Sequence, residues 1–257
     1  MILLPGSVLP AELAYGALIE ALGDEVEAVA MDLEVYADDA PPEDYSLDTE
    51  VAGVVREADA RGWERFHLVG YSGGGAAALA TAARHPGRLL SLGLLEPAWA
   101  GNWDLSEAER ATWGEYEKLD ALTPDEFMGA FVRLGLRSGV APPAQPPGSP
   151  PPWMAKRPAG IRAFMRTFGT YDLDPESLRR FDRPVYYALG ALSNPDQYGE
   201  VAERLSRAFE DFTLEVFEER HHFDPPHLIE PGRVAHSLRA LWERAEAARP
   251  SLAGTTL

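Results

Sequence analysis

Ser72 stands in Gly70-Tyr71-Ser72-Gly73-Gly74, between the apolar run Phe66 to Val69 and a small-residue stretch from Ala76 to Arg84. This is a G-x-S-x-G pattern at the junction of an expected strand and an expected helix, a setting that lifts a serine hydroxyl onto a sharp turn. Bulk two residues either side of the serine would collide with the strand or the helix, and Gly70 and Gly74 remove it. The backbone N–H of Gly73 and the N-terminus of the helix offer hydrogen bonding and partial positive charge to a developing oxyanion. Five such residues alone also suit a structural turn; the strand-to-helix context favours a nucleophile.

A serine hydroxyl needs a base within hydrogen-bonding reach. Of the six histidines, His67 lies within a strand, His85 follows a helix, and His236 belongs to a C-terminal helix. The remaining three sit in "RHHFDPPHLIEP", residues 220–231, after the last expected strand, where a loop can bend back over a sheet edge. His222 is preferred as the base because Phe223 beside it can anchor the loop. His221 is the alternative and His227 a third choice. His221, His222, Asp224 and His227 are also metal-ligand types, but adjacent histidines rarely face one ion and the proline pair stiffens the loop. No metal and no cofactor are expected.

The rest of the chain must position these groups. Its 257 residues, 46% hydrophobic and 25% charged, suffice for one α/β domain with an insertion. A net charge of −18 argues against nucleic acid or anionic membranes as partners, and against long-range attraction of an anionic substrate. With no cysteine, thiol nucleophiles, thiolate metal sites and disulfides are excluded. The opening residues lack a basic leader and a long apolar stretch, so the expected location is the cytoplasm and the expected partner a small molecule.

Short apolar runs at Ile2–Leu4, Val26–Leu33, Phe66–Val69, Leu89–Leu95, Pro184–Leu189 and Phe212–Phe217 read as strands. Helical spacing is expected over Ala11–Leu22, Leu47–Ala60, Ala76–Arg84, Pro195–Phe209 and Pro231–Ala248. Strands that are apolar throughout and alternate with helices predict an α/β fold with a doubly wound, mostly parallel sheet. The rhythm breaks after Trp99. Two helices within Ser106–Leu136, a proline-rich connection at Ala141–Trp153 and a short helix at Ile161–Phe168 read as a helical insertion over residues 101–181, with 1–100 and 182–257 as the core. The proline-rich segment, 141–152, is a candidate lid.

Pro5-Gly6-Ser7 after the first strand, the Gly70–Gly74 pattern and "HHFDPPH" before a terminal helix together resemble the α/β-hydrolase superfamily over nearly the whole chain. The resemblance implies Ser72 as nucleophile, His222 as general base, the N–H groups of Ser7 and Gly73 as an oxyanion hole, and 101–181 as a cap. Val8 can replace Ser7 as a backbone donor. The usual acid, an aspartate three residues after a glycine, is missing: Gly190 is followed at that distance by Ser193, and the first carboxylate is Asp196. Other members carry the acid at the end of the strand after the nucleophile, and there Glu96 closes an apolar run. A carboxylate buried at a strand end needs a partner, and an imidazole N–H is one. Glu96 is therefore preferred and Asp196 is the alternative; Glu96 also suits a salt bridge to the insertion.

The implied reaction is hydrolysis of an ester, thioester or lactone with a small hydrophobic acyl or leaving group. Tyr71, Trp99, Trp103 and Trp153 are the expected substrate-facing aromatics, although each suits core packing as well. A carbon–carbon bond hydrolase, or a protein that binds a small molecule without turning it over, are the competing functions.

Overall fold

In the computed structural model, residues 1–144 and 148–247 are described. Alternation along the four central strands explains why the middle of the sheet is buried on both faces. Ile2, Leu4, Leu68, Leu92, Leu94, Val185 and Tyr187 belong to one apolar cluster, whereas Leu3, Val69, Leu95, Tyr186 and Ala188 belong to a second. The strands are β1 (Ile2–Leu4), β2 (Val29–Ala30), β3 (Phe66–Tyr71), β4 (Leu89–Leu95), β5 (Val185–Gly190) and β6 (Phe212–Phe217). They form one parallel sheet in the order β2-β1-β3-β4-β5-β6.

Helices α1 (Ala11–Leu22) and α2 (Leu47–Ala60) precede β3, and α3 (Gly73–Arg84) follows it. Between β4 and β5 lie α4 (Glu107–Glu117), α5 (Pro124–Leu134), α6 (Arg157–Thr170) and α7 (Pro175–Arg179). The chain continues through α8 (Glu200–Ala208), α9 (Pro226–Ile229) and α10 (Pro231–Ala247). Helices α2, α3 and α8 contribute to the first cluster, and α1 and α10 to the second. The composition of α3 follows from its place: Gly73 to Ala82 are all buried, and such small residues let it lie close against the sheet and α2.

Tyr116, Leu119, Phe127 and Ile161 form a third, separate core among α4–α6, with Val8 packed against it. An ion pair between Arg204 and Glu109, each 1% exposed, ties α8 to α4.

The sheet sets the position of the site. The chain moves outward from β1 to β2, then returns to the other side of β1 and runs outward through β3, β4, β5 and β6. The strand order therefore reverses between β1 and β3, where ligands bind in open α/β sheets. Tyr71, Leu95 and Ala188 are register partners at the C-terminal ends of β3, β4 and β5, so the residues that follow emerge side by side.

Three expectations need correction. The strand expected over Val26–Leu33 pairs only at Val29–Ala30, because it is an edge strand whose one neighbour, β1, is three residues long. The helix expected from Pro195 opens with a wider π-helical turn at Pro195–Gly199 before α8. Neither α7 nor α9, of five and four residues, is among the expected helices. Residues 145–147 of the proline-rich segment, and Ala248 at the expected end of the last helix, lie outside the described residues. Among the described residues no helix is long and apolar enough to cross a membrane.

Candidate active site

The turn after β3 leaves only glycine at two positions. A side-chain carbon on Gly70 would lie 2.2 Å from the carbonyl oxygen of Gly74, and one on Gly74 would lie 2.4 Å from that of Pro5. Between them Ser72 has φ 53°, a left-handed conformation that non-glycine residues rarely hold. It is fixed by the register of the sheet: its N–H donates to the carbonyl of Leu95 at 3.2 Å and its carbonyl accepts from Ala98 at 2.9 Å.

Ser72 Oγ lies 2.9 Å from Nε2 of His222, and His222 Nδ1 lies 3.0 Å from Oε2 of Glu96. With the proton on Nδ1, that N–H donates to the carboxylate and Nε2 accepts from the serine hydroxyl. All three residues are at least 95% buried. Glu96 follows the last residue of β4 with φ 46°, and its second oxygen, Oε1, accepts from the Gly190 N–H at 2.7 Å and the Ser193 hydroxyl at 2.6 Å. Three hydrogen bonds thus replace the water that a buried carboxylate loses.

His222 is held from all sides. The Tyr71 hydroxyl donates to its backbone carbonyl. Its imidazole stacks on the ring of Tyr198, 4.2 Å between centroids and 15° from parallel, and meets Tyr71 at 4.9 Å and the edge of Phe223 at 5.1 Å. Phe223 packs in turn against Phe131 and Gly135, the anchoring expected of it. Arg220 braces the same loop with a 2.7 Å bond to Asp224.

The other histidines of the loop face elsewhere. His221 accepts from the Phe223 N–H through Nδ1 at 3.2 Å and does not meet the serine, and burial lowers its pKa. His227 lies between Tyr15 and Tyr71, where burial pushes its pKa down to about 3 and its Nδ1 has no partner. Asp196, the alternative acid, is exposed in the turn that Pro195 initiates, and so stands away from the imidazole. Among the described residues no cluster of histidine and carboxylate side chains could hold a metal.

Ser7 and Gly73 meet across the reversal of strand order. A side-chain carbon on Gly73 would lie 2.5 Å from Ser7 Oγ and 3.4 Å from the Phe164 ring. The Tyr36 hydroxyl donates to the Ser7 carbonyl at 2.7 Å and fixes that loop. Among the described residues, the N–H groups of Ser7 and Gly73 have no acceptor.

The aromatics expected to face substrate are engaged with the protein itself. Tyr71 turns to the underside of His222. Trp99, 1% exposed, stacks on Phe168 and donates its indole N–H to Asn102. Trp103 covers the buried guanidinium of Arg204, and Trp153 is half-buried beside Arg157. Spacing from Gly190 marks the position of Ser193 but not its bond to Glu96, and Tyr198 and Arg157 carry no local signal in the sequence.

The model of the alpha/beta hydrolase family matches residues 1–237. The chain belongs to this family. No curated protein matches the chain. Among solved structures, a bacterial membrane phospholipase A described as a virulence factor shares 23% identity (96% of this chain and 79% of that one, TM-score 0.68). A malate-bound thermophilic esterase from Thermogutta terrifontis shares 18% (95% and 89%, TM-score 0.69). A meta-cleavage product hydrolase from Pseudomonas fluorescens shares 20% (95% and 90%, TM-score 0.61). At these identities the likeness is one of fold, and this alpha/beta hydrolase must be read for substrate from its own residues.

Proposed function

We propose that the protein is a serine esterase-type hydrolase that cleaves an ester, thioester or lactone through an acyl-enzyme at Ser72. The observation that carries this reading is the buried chain of contacts from Ser72 through His222 to Glu96. Ser72 Oγ attacks the substrate carbonyl carbon while Nε2 of His222 takes the hydroxyl proton. Glu96 holds the ring with its proton on Nδ1 and stabilises the imidazolium that forms. The N–H groups of Ser7 and Gly73 receive the oxyanion; removing one such donor typically costs about 3 kcal/mol.

As the tetrahedral intermediate collapses, the carbon–oxygen or carbon–sulfur bond to the leaving group breaks and His222 returns its proton to that group. Water then attacks the acyl carbon, giving its proton to His222, and Ser72 recovers a proton as the carboxylic acid departs.

In this reading residues 101–181 form a cap over the serine, supported by the separate core of α4–α6 and by Phe164 beside Gly73. The contact between Glu96 and His222 also supports turnover over binding alone, because it supplies the acid that a working triad needs. Carbon–carbon hydrolysis would use the same three residues and has no observation of its own in its favour. The test is a 4-nitrophenyl ester series from acetate to decanoate. Turnover by the wild type and its loss in Ser72→Ala are expected; no turnover at any chain length, or equal turnover by Ser72→Ala, would overturn the reading.

A further inference from the structure

Arg157 and Arg204 are the buried arginines among the described residues, and they are treated differently. Arg204 has Glu109 as a bidentate partner. Arg157, 4% exposed, forms no ion pair among the described residues, and its Nε has no hydrogen-bond acceptor. Its guanidinium lies 4.0 Å from the centroid of the Tyr36 ring and 5.3 Å from that of Trp153. Cation–π contact and a hydrogen bond to the Tyr36 hydroxyl oxygen offset part of the desolvation of the buried guanidinium, but no carboxylate meets it among the described residues.

The location ties this group to the serine. Arg157, Gly160 and Phe164 share one face of α6, at helical spacings of three and seven. Phe164 touches the position of Gly73. Gly160 rides on Tyr36, whose hydroxyl would lie 2.6 Å from a side-chain carbon at 160 and holds the Ser7 carbonyl. Seven residues of helix span about 10 Å, so the face of α6 that begins beside the oxyanion donors runs over Tyr36 to the Arg157 guanidinium.

We propose that Arg157 recognises a carboxylate at the far end of the acyl chain, and that the preferred substrates are esters of short dicarboxylic acids, about four to six carbons long. The inference rests on the proposed hydrolysis, which places the near carbonyl at Ser72. One guanidinium matches one carboxylate in a planar, two-bond pair. The neighbouring Lys156 is already engaged by the Asp38 carbonyl and the Asp39 carboxylate, so it does not add a second free cation for a dianion. The chain's −18 charge repels such a substrate at long range, and the attraction is confined to the surroundings of Arg157. A neutral chain end would leave the buried guanidinium without an anion, the condition under which a polar site discriminates best.

The test compares mono-4-nitrophenyl glutarate with 4-nitrophenyl pentanoate. In the wild type, kcat/KM is expected to favour the glutarate at least tenfold. The ratio should fall at least tenfold in Arg157→Gln and lie between in Arg157→Lys. Because the ratio is internal to each protein, a general loss of activity does not mimic it. A wild-type ratio at or below one, or an unchanged ratio in Arg157→Gln, overturns the inference; if Arg157→Gln does not fold, the wild type and Arg157→Lys decide. If neither ester is hydrolysed, the hydrolase reading fails. Calorimetric titration with monomethyl glutarate then judges Arg157 separately: binding weakened tenfold by Arg157→Gln supports it, and no binding to the wild type overturns it.

Discussion

Ser193 donates its hydroxyl hydrogen to Oε1 of Glu96 at 2.6 Å, from the position three residues after Gly190. The carboxylate comes from the end of β4, and the residue after β5 supports it. Register makes this possible: Leu95 and Ala188 are partners, so Glu96 leaves the sheet beside the turn that carries Ser193. Oε1 is saturated by Ser193 and Gly190, and Oε2 is left to His222.

Glu96→Gln is therefore expected to lower kcat by about 10³–10⁴, because an amide cannot hold the imidazole in the required tautomer as a carboxylate does. Asp196→Asn should stay within about twofold of wild type, since Asp196 is exposed and its backbone N–H is held by the Asn194 side chain. Steady-state kinetics on one ester check both; wild-type activity in Glu96→Gln would remove Glu96 from the mechanism.

Ser193→Ala deletes a hydrogen bond to a buried charge, typically about 1.5–3 kcal/mol. If the clamp acts through the orientation of Glu96, kcat should fall about tenfold or more with KM little changed. Loss of folded protein without a change in kcat per folded molecule would make Ser193 purely structural.

Tyr71→Phe keeps the ring between His222 and His227 but removes the hydroxyl that holds the His222 carbonyl. A fall in kcat of roughly five- to thirtyfold is expected, following from about 1–2 kcal/mol for the lost bond. Tyr71→Leu should lose more, because the packing beneath the imidazole goes with it. Equal kcat in Tyr71→Phe and wild type would show that the loop needs no such tether.

His227 predicts an acid-sensitive fold. Its folded pKa, pushed down to about 3, lies below the value near 6.5 of the unfolded chain. Between these values the unfolded state binds the proton and the folded state does not, so stability is full above about 6.5 and falls as pH drops towards 3. The slope is about 1.4 kcal/mol per unit. Urea unfolding at pH 7 and pH 5 should show wild type losing about 2 kcal/mol more than His227→Phe. Parallel losses in the two proteins would mean that His227 is not buried and neutral.

Much of this arrangement was legible because it is local or positional. Gly70 and Gly74 announced the turn by spacing, Glu96 stood out as a charge closing an apolar strand, and Phe223 marked which of two adjacent histidines had an anchor. What stayed hidden depends on segments distant in sequence. Tyr198 reaches His222 through a π-helical turn that no periodicity signals. Arg157 reads as an ordinary helix-start residue until α6 is laid across Tyr36. Trp99 and Trp103 stood out by size, but large aromatics fill cores as readily as pockets, and here they pack against Phe168 and Arg204. The short β2 was overread because an apolar run does not reveal how long its only neighbour is.

The most direct measurement of the central claim is intact-mass analysis after treatment with a fluorophosphonate, followed by peptide mapping. A single adduct on Ser72 is expected in the wild type, with labelling slowed at least a hundredfold in His222→Gln and absent in Ser72→Ala. An unmodified wild-type protein, or an adduct formed equally fast without His222, would contradict a nucleophile activated by that histidine.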